Sequence, residues 1–152
     1  MFTPQDIETA QKHWADGIVD IGKQSSWEAA RERATQLLRD HYLVDDGTLL
    51  FCPTKAAVQQ FRPTFSAALS YFVGRHADFE EDGGFALEPW SSVRFENAGV
   101  VCREDSAIAM GNYFFGKSDG SELKVEYSFV YVRDEHGKVK VQLHHSALPY
   151  PG

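Results

Sequence analysis

The hydrophobic rhythm of this chain changes once, at the acidic, glycine-bearing segment Glu80-Glu81-Asp82-Gly83-Gly84. Before that segment apolar residues recur at helical spacing; after it the chain reads as strands. Four runs follow: Val93 to Arg103, Ser106 to Lys117, Glu122 to Arg133 and Lys138 to Leu148. Their joints, Arg103-Glu104-Asp105, Ser118-Asp119-Gly120 and Asp134-Glu135-His136-Gly137, have hairpin-turn composition, which predicts an antiparallel meander. Helices first and a meander last make an α+β chain whose helices cover one face of a long curved sheet.

Thr3-Pro4-Gln5-Asp6 predicts a helix start, with Thr3 as N-cap, Pro4 at the first helical position and Asp6 completing a capping-box-like pattern. Ile7, Ala10, Trp14, Ile18 and Ile21 then form one stripe, and Gly22 is the expected stop. Ser25-Ser26 caps a second helix, Trp27 to about His41, with Ala30, Ala34, Leu37 and Leu38 inward. Thr48 to Cys52 reads as a short buried strand or extended segment that Pro53 ends. Thr54 stands as N-cap of a short helical turn, Lys55 to Gln60. Pro63 opens a third helix with its body at Ser66 to Val73, where Phe65, Leu69 and Phe72 align and Gly74 follows as the stop. Tyr71 lies off that stripe, where its ring is buried and its hydroxyl reaches an edge or pocket.

A length of 152 residues with 43% apolar residues suits one domain, 1–152, with a substantial core. The net charge of −7 repels nucleic acid and anionic membrane surfaces. Cys52 and Cys102 give neither a disulfide framework nor metal-ligand spacing, and read as a buried, reduced pair. No signal-peptide pattern opens the chain and no window holds 18 apolar residues, so the expectation is a cytoplasmic protein.

Chemistry is concentrated in the last strand, Lys138 to Tyr150. Val139, Val141 and Leu143 alternate with Lys138, Lys140 and Gln142. Continued, that alternation turns His145 to the interior and His144 and Ser146 outward, unless a bulge shifts the register by one residue. Adjacent histidines on a strand face opposite ways, so the pair does not chelate one metal ion, and no other ligand spacing is present. A nucleophilic triad is equally unsupported: Ser146 directly follows His145 and no GxSxG elbow occurs. What remains is general acid/base work by a pocket imidazole, aided by hydroxyls from Thr54, Tyr71 and Ser146. Each has a plainer reading: Thr54 as a helix cap, Tyr71 as a core aromatic, Ser146 as a strand-end hydrogen bonder.

Several segments in order carry a resemblance: CPTKAAVQQFRPTFSAALSYFVG, GFALEPWSSVRFENAG, AMGNYFF, VKVEYSF and the closing LHHSALPY. Together, over about Thr48 to Tyr150, they resemble the bacterial iota-class carbonic anhydrases. The element order looks like the nuclear transport factor 2-like (cystatin-like) cone, and the HHS ending looks like the calcium/calmodulin-dependent kinase II association-domain branch. The resemblance implies a cone-shaped antiparallel sheet with three helices on its concave face. It also implies a homodimer that hydrates carbon dioxide to bicarbonate without a metal ion or other cofactor. Thr54 and Tyr71 match the family's site threonine and tyrosine, and its histidine maps onto His144-His145, with His145 favoured as the base because it follows the apolar row. The family usually reads HHSS, whereas this chain has Ala147 in the last place, so the functional serine is either Ser146 or absent. Phe51, Phe72, Tyr113, Phe115 and Phe129 are candidates for an apolar wall around a nonpolar gas. The rival reading is a non-catalytic ligand-binding or oligomerisation module on the same fold, since fold alone does not decide activity.

Overall fold

A computed structural model describes all residues, 1–152. Helix α1 spans Pro4–Gly22, with Thr3 and Asp6 closing a reciprocal capping box. Helix α2 spans Trp27–His41 behind the Ser26 cap, and α3 spans Phe65–Val73 behind Thr64, so Pro63 sits just outside the helix it was expected to open. The strands are β1 (Leu50–Cys52), β2 (Ser92–Cys102), β3 (Ser106–Gly116), β4 (Glu122–Arg133) and β5 (Val139–Ala147). A single 3₁₀ turn at Phe85–Leu87, unmarked in the hydrophobic pattern, bridges α3 and β2.

The expected four-strand meander is present, and β1 adds a fifth strand, giving the order β1-β5-β4-β3-β2. Because β1 runs parallel to β5, the sheet is mixed rather than antiparallel throughout. Alternate residues of β3 and β4 (Ala107, Ala109, Tyr113, Phe115; Val125, Tyr127, Phe129, Tyr131) are buried on the helix-covered face. There they join α1, α2 and α3 in one core of 29 buried apolar residues. Tyr113 and Phe115, two of the candidates for an apolar wall, lie on this inner face. No helix is long and apolar enough to cross a membrane.

The expected short helix at Lys55 to Gln60 is absent; this stretch consists of turns and bends. The amides of Ala57, Val58 and Gln59 donate to the Glu81 carboxylate instead of to a helical ladder. The acidic loop that divides the two rhythms thus shapes the segment that carries Thr54.

Candidate functional site

The facing of the two histidines is decided by one residue. Tyr131 pairs with Val141 and Val130 pairs with Leu143, so Gln142 is an extra residue on β5. A bulge of this kind reverses which side every later residue faces. Beyond it, His144 lies opposite Phe129 and Ser146 opposite Tyr127, both inward-facing positions of β4. His144 and Ser146 are accordingly buried, each 3% exposed, whereas His145 is turned to the solvent side. The expectation that His145 faces the interior is corrected, because simple alternation does not survive the bulge. Ala147 faces outward with His145, so the serine on the inner row is Ser146.

His144 sits between rings from both neighbouring strands. Phe129 of β4 stacks on it at 4.0 Å between centroids, and Phe51 of β1 at 4.9 Å. Its nitrogens meet two phenols: Nδ1 lies 2.8 Å from the Tyr42 hydroxyl and Nε2 lies 3.0 Å from that of Tyr113. Trp14 of α1 donates its indole N–H to Tyr42 over 3.0 Å. Tyr113 also bonds Ser146 Oγ, which lies 2.6 Å from Thr54 Oγ1. The Tyr71 hydroxyl accepts the Lys55 amide at 3.1 Å. Thr54 is thus not a helix cap; its hydroxyl ends a buried polar chain.

Burial dominates the electrostatics. It pushes the phenols of Tyr42, Tyr71 and Tyr113 above the usual tyrosine range and the imidazole of His144 down to about 3. All four are therefore neutral at pH 7. No three His, Cys, Asp or Glu side chains converge where a metal ion could be held.

Thr54, Tyr71, Tyr113, His144 and Ser146 line a cavity of about 10 Å³, on the threshold for one water molecule. Its walls include Trp14, Phe51, Phe72, Phe85 and Phe115, so an apolar shell surrounds a few hydroxyls. Tyr71 and Phe85 also line an outer vestibule of about 270 Å³ with Lys55, Glu81 and Glu88. The inner cavity is small, apolar-walled and edged by hydroxyls, and Tyr71 and Phe85 stand between it and the vestibule.

Of the sequence-predicted residues, Thr54, Tyr71, His144 and Ser146 come together and His145 does not. Sequence reading missed Trp14 and Tyr42, and it took Tyr113 for wall alone. Trp14 lies on the apolar stripe of α1, and only its indole N–H, a polar handle on a core position, hints at more.

The family model described as metal-independent carbonic anhydrase matches residues 5–148. A metal-independent carbonic anhydrase of Nostoc sp. (strain PCC 7120 / SAG 25.82 / UTEX 2576) is 36% identical, across 98% of this chain and 75% of that protein. The crystal structure of the iota-carbonic anhydrase from a cyanobacterium, complexed with bicarbonate, superposes with a TM-score of 0.96 at 34% identity. That match covers 99% of this chain and 94% of the other. A Xanthomonas campestris protein described as a calcium/calmodulin dependent protein kinase II association domain shares the fold. Its TM-score is 0.64 at 15% identity, over 100% of this chain and 91% of that one.

Proposed function

We propose that this chain, which belongs to the metal-independent carbonic anhydrase family, hydrates carbon dioxide in the cavity bounded by Thr54, Tyr71, Tyr113, His144 and Ser146. The carrying observation is the convergence of four hydroxyls and one neutral imidazole on a space otherwise walled by aromatic rings. An apolar wall favours the entry of a nonpolar gas. The Thr54 and Tyr71 hydroxyls are placed to hold a water against it and to bond the oxygens that gain charge as bicarbonate forms. Bicarbonate then leaves past Tyr71 and Phe85 into the vestibule, where Lys55 is the one cation beside the carboxylates of Glu81, Asp82 and Glu88.

The domain is residues 1–152, and the working unit is a homodimer joined through the sheet face opposite the helices. On that face Val101 pairs with Ile108, Ile108 with Val130, Val130 with Leu143 and Leu143 with Leu50. One apolar row therefore crosses all five strands. Val101, Ile108 and Leu50 are 48%, 42% and 62% exposed in the monomer. A second copy laid on the same row by a two-fold axis would cover it. The two free cysteines support a reducing compartment such as the cytoplasm, and the charge of −7 weighs against a nucleic-acid partner.

Stopped-flow hydration with and without a chelator tests the reading. The expected result is a rate above the uncatalysed one that the chelator does not lower. A rate lost to the chelator and restored by zinc would overturn the metal-independent chemistry; no rate at all would overturn the site.

A further inference from the structure

Trp14 decides which way the buried hydrogen-bond chain runs. Its indole nitrogen carries a hydrogen and accepts nothing, so toward Tyr42 it is the donor. Tyr42 then needs an acceptor for its own hydrogen. The structure offers Nδ1 of His144, and at 1% exposure a hydroxyl hydrogen left unpaired would be costly. Nδ1 therefore accepts, and the neutral imidazole carries its hydrogen on Nε2, which donates to Tyr113. The same count continues outward. Tyr113 donates to Ser146, and the buried Ser146 donates to Thr54. Thr54 is the first member whose hydrogen remains uncommitted. Tyr71, which already accepts from the Lys55 amide, holds the second.

We propose, resting on the reading that carbon dioxide is hydrated in this cavity, that Trp14 and Tyr42 are positioning residues that hold His144 in its neutral Nε2–H form. His144 then serves as a donor to Tyr113, and the chain ends in hydroxyl hydrogens presented to the substrate, rather than in a histidine base that takes the proton of water. The surroundings of the ring agree. Trp14, Tyr42, Phe51, Tyr113 and Phe129 enclose it, none of them charged, and adjacent His145 further disfavours an imidazolium.

The hydration step closes without an ionised base. Water oxygen bonds to carbon while one C=O π pair moves onto the oxygen it leaves. Thr54 oxygen takes the proton that water releases, as the Thr54 hydroxyl hydrogen passes to that carbon dioxide oxygen. The immediate product is carbonic acid, and it ionises to bicarbonate and a proton on reaching water in the vestibule. No side chain changes charge, which suits a site whose phenols and imidazole are all held neutral.

Nitrogen-15 NMR of histidine-labelled protein reads the tautomer without any turnover. The expected result is a His144 resonance set of the Nε2–H form that does not titrate between about pH 8 and about pH 5, with mixed tautomers in Trp14→Phe. An Nδ1–H form in the unsubstituted protein would overturn the inference, whatever the variant does. His144→Gln supplies the second arm, because it keeps an Nε2–H donor but has no basic nitrogen. It should retain hydration within about tenfold of the parent, while His144→Ala falls by roughly 10²-fold or more. Equal loss in both variants would restore the histidine base and overturn the inference. Absence of hydration in the parent protein itself would sink the carbonic anhydrase reading and leave the tautomer result standing.

Discussion

His144 lies flat against Phe129, their ring centroids 4.0 Å apart and their planes 17° from parallel. With Phe51 against the ring from the strand on its other side, the imidazole has almost no water to solvate a positive charge. Burial, with a smaller contribution from His145, lowers its pKa from 6.5 to about 3. Between those values the unfolded chain binds a proton that the folded chain refuses. Stability attached to this residue is therefore complete above about pH 6.5 and falls with acidification by about 1.4 kcal/mol per pH unit down to about pH 3. His41, lowered to about 4 mainly by burial, acts in the same direction. Urea unfolding at about pH 7 and about pH 5 should show a shallower pH slope in His144→Gln than in the parent, by about 0.7 proton on average. Identical slopes would mean that His144 is not shielded as the structure has it.

The bulge at Gln142 makes the two histidines unequal. His145→Ala should leave hydration within about twofold of the parent, because its side chain points away from the cavity. Ser146→Ala should cost roughly 10²-fold by breaking the link between Tyr113 and Thr54. Ala147→Ser, which restores the family's usual second serine, should give no gain, since position 147 faces outward with His145. Rates from stopped flow check all three; a large loss in His145→Ala would contradict the register of β5.

Most of the architecture was legible because it follows from local rules. The Thr3/Asp6 box, the Ser26 cap and the stripe from Ile7 to Ile21 mark α1 and α2 within a residue or so of their observed ends. The turns at Asp119-Gly120 and Asp134 to Gly137 fix β4 without error. What failed depended on contacts distant in sequence. No glycine or proline announces the bulge at Gln142; its place is set by pairing with β4, so simple alternation turned His145 rather than His144 inward. The helix expected after Thr54 gave way to amide bonds with Glu81, more than twenty residues away. Trp14 and Tyr42 look like ordinary core aromatics until α1, the end of α2 and β5 meet around His144.

The apolar row on the outer sheet face gives a prediction about assembly. Ile108 lies in the middle of that row, between Val101 and Val130. Ile108→Asp places a charge where a symmetric partner would bring a second one against it. Sedimentation should show a dimer for the parent and a monomer for the variant at micromolar protein, with the thermal unfolding of the monomer little changed. A parent that sediments as a monomer would remove the proposed interface.

Arg62 and Asp82 hold the Thr54 segment to α3, and their removal should be felt in stability before chemistry. Arg62 has no exposed surface, and its two terminal nitrogens donate to the Asp82 carboxylate at 2.8 Å each. It also donates to the carbonyls of Gln59 and Ala67, while Ser70 donates to Asp82. Arg62→Met strands a buried carboxylate and should cost about 3–5 kcal/mol. The pair Arg62→Met with Asp82→Leu should recover a good part of that loss, because no charge is then left unpaired. Glu81 next door does a different job. Its carboxyl is held below the usual range chiefly by the amide of Gln59, then by those of Ala57 and Val58, so the latch is charged at neutral pH. It weakens only as pH falls through that lowered value. Glu81→Ala frees those amides at the surface, so the fold should survive while Thr54 loses its fixed position. The expected readout is a kcat reduced by about tenfold with a melting temperature near the parent's. A Glu81→Ala protein with undiminished kcat would show that Thr54 is held in place by Ser146 alone.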